Sequence, residues 1–96
     1  MVLQKLLDHP QFELSHLNVI THLYPEFVIQ TKEPLDKIAY KYYQDHQYFV
    51  ILAYINHIID PENYDNTELI VPFKNDIDIV LSKIYEHLED ISNENS

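Results

Sequence analysis

Val2, Leu3, Leu6 and Leu7 fall at helical spacing, and Pro10 closes the segment. Residues three and four apart share one helix face, and a proline cannot continue the amide ladder. The pattern predicts a short N-terminal helix, or an arm that orders on a partner. From Phe12 to Phe27 the pattern is mixed. Leu17, Val19 and Thr21 alternate with Asn18, Ile20 and His22, which admits a strand or an irregular apolar stretch. Pro25 breaks whatever precedes it. Phe27 to Thr31 is short and rich in β-formers, so a strand is expected there. Thr31 to Pro34 reads as a turn, with Pro34 tolerated in the first helical turn.

Leu35, Ile38, Ala39 and Tyr42 then form one apolar helical stripe, interrupted by Gln44 and Asp45. His46 to Ile59 predicts a second helix, apolar on nearly all sides and therefore the most buried element. Asp60-Pro61 should end it, because a residue before proline avoids helical angles. Glu62 to Thr67 is polar, with Asp65-Asn66 suited to a tight turn. Glu68 to Val71 reads as a second strand, stopped by Pro72. Asn75 or Asp76 is placed to cap a last helix marked by Ile77, Val80, Leu81, Ile84, Leu88 and Ile91. Ser92 to Ser96 reads as a frayed tail. The expectation is one α+β domain in three stretches: an N-terminal helix or arm over 1–25, a core over 26–73, and a C-terminal helix and tail over 74–96.

Composition narrows this picture. With 96 residues the chain can build one modest core. Eight Tyr and four Phe argue against disorder. No apolar run is long enough to span a bilayer, and the start lacks a small-residue cleavage site, so neither a membrane partner nor a signal peptide is expected. There is no Cys, hence no disulfide framework. There is also no Gly, which excludes Gly-rich phosphate loops and requires any left-handed backbone position to fall to Asn or Asp, or to be avoided.

The net charge of −10 argues against nucleic acid as a partner. It is uneven. Met1 to Ile59 holds six acids and four Lys, whereas Asp60 onward holds ten acids and two Lys. The acidic part is either a solvated face or a guide toward a basic partner surface.

Candidate chemistry is sparse. His9, His16, His22, His46, His57 and His87 are dispersed, and none forms the paired arrangement of a zinc helix. Acid pairs are plentiful, but acid–base catalysis requires a cleft that shifts a pKa, and no nucleophile motif occurs. No enzyme activity, metal or cofactor is therefore expected. The Tyr cluster, Tyr40, Tyr42, Tyr43, Tyr48 and Tyr54, is the stronger feature. Some of these rings fill a core, and the others suit a protein interface.

The order strand, helix, helix, strand carries a resemblance. Phe27-Val28-Ile29 followed by Pro34-Leu35-Asp36-Lys37-Ile38-Ala39-Tyr40-Lys41-Tyr42-Tyr43 resembles the opening of a LysM module. Phe49 to Asn56 resembles its second helix with a terminal Asn, and Leu69-Ile70-Val71-Pro72 its closing strand. The version is most similar to LysM-like domains of tailed-phage baseplate wedge and tail proteins. There Ile-Ala-x-x-x-Tyr-Gly-Asp precedes an aromatic helix and Asn-x-Ile-x-Asp-Pro. Here Ile38 to Asp45 follows the first motif, with Gln44 where Gly is usual, and Asn56-His57-Ile58-Ile59-Asp60-Pro61 follows the second.

The resemblance implies a structural subunit of a multi-protein phage tail or baseplate, made in the host cytoplasm and built into the virion. Its partners would be other tail or baseplate proteins. Contacts are expected at Leu3 and Leu7 of the arm and at Tyr40, Tyr43, Tyr54 and Tyr85. The alternative implied by the family is peptidoglycan or chitin binding, through two loops that here contain Lys32 and Glu33, and Asn63 and Asp65. Both loops depart from the glycan-binding pattern. Thr31-Lys32-Glu33-Pro34 replaces the usual Gly-Asp-Thr turn, and no Gly precedes the closing strand.

Overall fold

A six-residue helix is unstable alone, so α1 (Val2–Leu7) depends on burying Leu3 and Leu6. It packs on α4, the long C-terminal helix (Lys74–Glu94), whose Ile77, Leu81, Ile84 and Leu88 are buried. The structure is a computed structural model that describes residues 2–22, 25–65 and 68–94. The expected turn at Asp65-Asn66 falls partly outside those residues.

The elements run α1, a 3-10 helix (Leu14–His22), β1 (Pro25–Ile29), α2 (Leu35–Tyr43), a 3-10 turn (His46–Tyr48), α3 (Phe49–Ile55), β2 (Leu69–Pro72) and α4. The two strands pair antiparallel, with Phe27 opposite Val71, Val28 opposite Ile70 and Ile29 opposite Leu69. Pro25 meets Pro72 across an irregularity in the register. One cluster of buried side chains takes residues from α1, the 3-10 helix, α2, α3, β2 and α4. This is a small α+β protein with a single core. None of the described helices is long and apolar enough to cross a membrane.

After Phe12 the chain forms a 3-10 helix from Leu14, not a strand. Side chains three apart line up in a 3-10 helix, and Leu17 and Ile20 use that spacing to enter the core. A period of three thus overrides the apparent alternation. The strands are also displaced: β1 begins at Pro25, and β2 includes Pro72.

In α2 the buried stripe is Leu35, Ile38, Ala39 and Tyr43, with Tyr42 only half-buried against the core. Gln44 ends this helix in the left-handed region, at φ 58°, and its N–H donates to the Tyr40 carbonyl. The Asp45 carboxylate accepts from the Gln47 N–H at 2.9 Å and starts the 3-10 turn.

The long helix expected over His46 to Ile59 is therefore split, and its α-helical part stops at Ile55. Its end is a Schellman motif: His57 N–H donates to Tyr54 and Ile58 N–H to Ala53, at 3.3 and 2.9 Å. His57 takes the left-handed position at φ 57°. Among the described residues, the positive-φ positions thus fall to Gln44 and His57, not to Asn or Asp. The reason is positional: both residues stand where a helix must reverse, and hydrogen bonds to the last turn hold them there.

The last helix starts at Lys74, earlier than either expected cap, and Asp76 lies in its first turn. It continues through the expected tail to Glu94. Lys74 and Asp78 form an i, i+4 ion pair at 2.8 Å.

Candidate functional site

The turn before α2 and the loop before β2 meet, and their residues hold each other. Thr31 Oγ1 accepts from the Glu33 N–H at 3.1 Å, which bends the first loop. Pro34 then enters α2 without a side-chain cap. The orphan N–H of Leu35 instead donates to the Pro61 carbonyl at 2.9 Å, so the second loop caps the helix that follows the first. Asp60 Oδ1 accepts from the Glu62 N–H at 3.0 Å and curls that second loop.

Tyr64 closes the junction. Its hydroxyl donates to the Glu33 carbonyl at 2.6 Å, and its ring is buried. The Lys32 ammonium donates to the Tyr64 carbonyl at 3.4 Å and lies 6.0 Å from the ring centroid. Burial, and then the negative charge of Glu33, push the Tyr64 phenol upward from its ordinary pKa. Beside the junction, a shallow hollow of about 390 Å³ is lined by Asp36, Phe49, Asp60, Pro61 and Glu62.

The four expected glycan-loop residues therefore come to one end of the fold. Lys32 gives its ammonium and Glu33 its backbone carbonyl to the latch, and all four residues are exposed. The latch residue itself, Tyr64, is absent from the expected set. A Tyr in an otherwise polar loop is the signal that marks it.

The expected contact residues divide sharply. Leu3 is 0% exposed and Tyr43 2%, so both belong to the chain's own core. The Tyr43 hydroxyl donates to the Pro72 carbonyl at 2.8 Å, tying α2 to β2. Leu7 is half-buried against the core. The Tyr54 hydroxyl donates to Asn18 beside a cavity of about 430 Å³ that includes Ala53, Ile58 and Ile59. Tyr85 meets His9 edge-on at 5.8 Å and bonds to Glu89, which raises its phenol pKa. Tyr40 is 54% exposed and stacks on His46 at 4.7 Å. The structure thus does not gather these six residues into one patch, and two of them are closed to a partner in this fold.

Asn56 is buried, which is uncommon for an amide side chain. Its amide nitrogen donates to the Leu52 carbonyl at 2.9 Å and to the Ile70 carbonyl at 3.0 Å. Its Oδ1 accepts from the Ile70 N–H at 2.8 Å. One side-chain amide thereby pairs with Ile70 as a neighbouring strand would. The sequence places Asn56 in a motif without showing this role.

Among the described residues, no group of His, Asp or Glu is arranged to hold a metal ion. Comparison of the chain with protein-family models, with curated proteins and with solved structures finds no match.

Proposed function

We propose that this chain is a LysM-like structural subunit of a phage tail or baseplate, acting through protein contacts. The observation that carries the reading is the latched junction of Lys32, Glu33 and Tyr64, at the end of the fold where the resembled family binds glycan. A buried tyrosine and paired backbone groups occupy it. The strand–helix–helix–strand order and the antiparallel β1–β2 pair support the family resemblance. The alternative is a peptidoglycan- or chitin-binding module, which the exposed Asn63 and Asp65 keep in view.

Quantitative mass spectrometry of purified tails tests the first reading. The expected result is this chain at a fixed ratio to the other tail proteins. Its presence in the lysate but not in particles overturns the proposal. A peptidoglycan and chitin pull-down tests the alternative: saturable binding lost in Lys32→Ala or Asn63→Ala would establish it.

A further inference from the structure

A two-stranded sheet has two open edges, and among the described residues only one of them is closed. The Ile70 N–H and C=O are both taken by Asn56 and therefore point away from β1. Val28 is the residue opposite Ile70. In an antiparallel ladder, opposed residues that do not bond each other both turn their amide groups outward. The Val28 N–H and C=O therefore face the outer edge of β1. Among the described residues, no hydrogen bond from another element reaches them.

We infer that the outer edge of β1 is a homodimer interface, where a second copy of this chain adds its own β1 antiparallel about a twofold axis at Val28. Two observations favour a second copy as the occupant. First, the register is self-complementary. Val28 pairs with the partner copy's same residue, and Ile29 stands opposite the partner copy's Phe27. No residue from Phe27 to Ile29 is ionisable, so no like charges oppose each other beside the axis. Second, Val28 and Ile70 are 54% and 40% exposed, and the twofold joins both pairs into one apolar strip across four strands.

Closure follows from the same geometry. Asn56 blocks β2, so the new sheet ends at β2 on both sides and stops at two copies. Each copy carries a charge of −10, so added salt should strengthen the pairing. Pairing of this kind requires neither a tail nor a baseplate role.

Sedimentation equilibrium of the full chain at low and high salt tests it. The expected result is a monomer–dimer equilibrium that shifts toward dimer with salt. Val28→Lys places like charges across the axis and should weaken the dimer at least about tenfold, with an unchanged circular dichroism spectrum. The native chain has no Cys, so single-cysteine variants report the axis directly. Directly opposed residues in a bonded antiparallel pair lie about 5.5 Å apart at Cα, within disulfide reach. Val28→Cys should form a covalent dimer under mild oxidation. Ile70→Cys, three strand spacings from its mate or about 14 Å, should not. A monomer at every concentration and salt level overturns the inference. So does a dimer indifferent to Val28→Lys, or equal cross-linking of the two cysteine variants.

Discussion

Replacing Asn56 by Asp changes one NH2 group to an oxygen and tests the edge cap at almost constant volume. Oδ1 survives and still accepts from the Ile70 N–H. The two donated bonds, to Leu52 and Ile70, are lost. At about 1 kcal/mol each, that is about 2 kcal/mol before any repulsion between the new charge and two carbonyl oxygens. In a domain of this size 1 kcal/mol moves Tm by about 4–8 °C, so Tm should fall by at least about 8 °C at neutral pH. Protonation restores one donor to the new carboxyl group. Its folded-state pKa should therefore lie above its unfolded value of about 3.9. The deficit is full above the folded pKa and shrinks as pH falls toward the unfolded value. Thermal melts by circular dichroism, native and variant side by side at pH 7 and pH 4, measure both effects. A variant that melts with the native chain at pH 7, or a deficit that is the same at both pH values, refutes the reasoning.

Gln44→Gly should stabilise the fold by about 0.5–1 kcal/mol, because relief of the left-handed strain exceeds the added chain entropy; a lower melting temperature would contradict it. Tyr48→Phe removes a bond to the Asp78 carboxylate and should cost about 1.5–3 kcal/mol at neutral pH, read from urea midpoints. Burial first, and then Asp78, raise the Tyr48 pKa above its ordinary 10.0, so the unfolded chain ionises first. Its contribution is full below about pH 10 and declines above it, and the alkaline loss of stability should be shallower in the variant. Leu3→Ala should cost about 2–5 kcal/mol by the same urea assay, whereas no cost would mean that α1 does not dock on α4.

The periodic elements are legible in the sequence. The stripes of α2 and α4 and the short apolar strands are local signals that correspond to observed elements, whereas Pro61 lies well past the end of α3 and Pro72 lies within β2. The remaining parts depend on tertiary context. Leu17 and Ile20 reveal a period of three only once the core they enter is known. Helical spacing points to Tyr42 as the inward ring, yet its neighbour Tyr43 is the buried one, its hydroxyl held by the distant Pro72 carbonyl. The break after Ile55 is hidden because His57, a residue with a Cβ, holds a position where glycine would have announced the turn. At the loop junction, Lys32 and Glu33 are legible as loop residues, but their latch to Tyr64 spans 31 positions or more and leaves no sequence period.

The Asn56 amide also bears on the order of folding. It reaches Ile70 across 14 positions, whereas Val28 meets Ile70 from about three times as far along the chain. By loop-closure entropy alone, the shorter connection is favoured by about 1 kcal/mol. Once α3 forms, its end presents a ready-made donor and acceptor to the incoming β2 segment. That segment can settle in register on the helix before β1 arrives, and a one-residue slip would turn Leu69 and Val71 outward. A side chain that closes an edge in the finished protein would then have served, earlier, as the template on which the sheet was laid down.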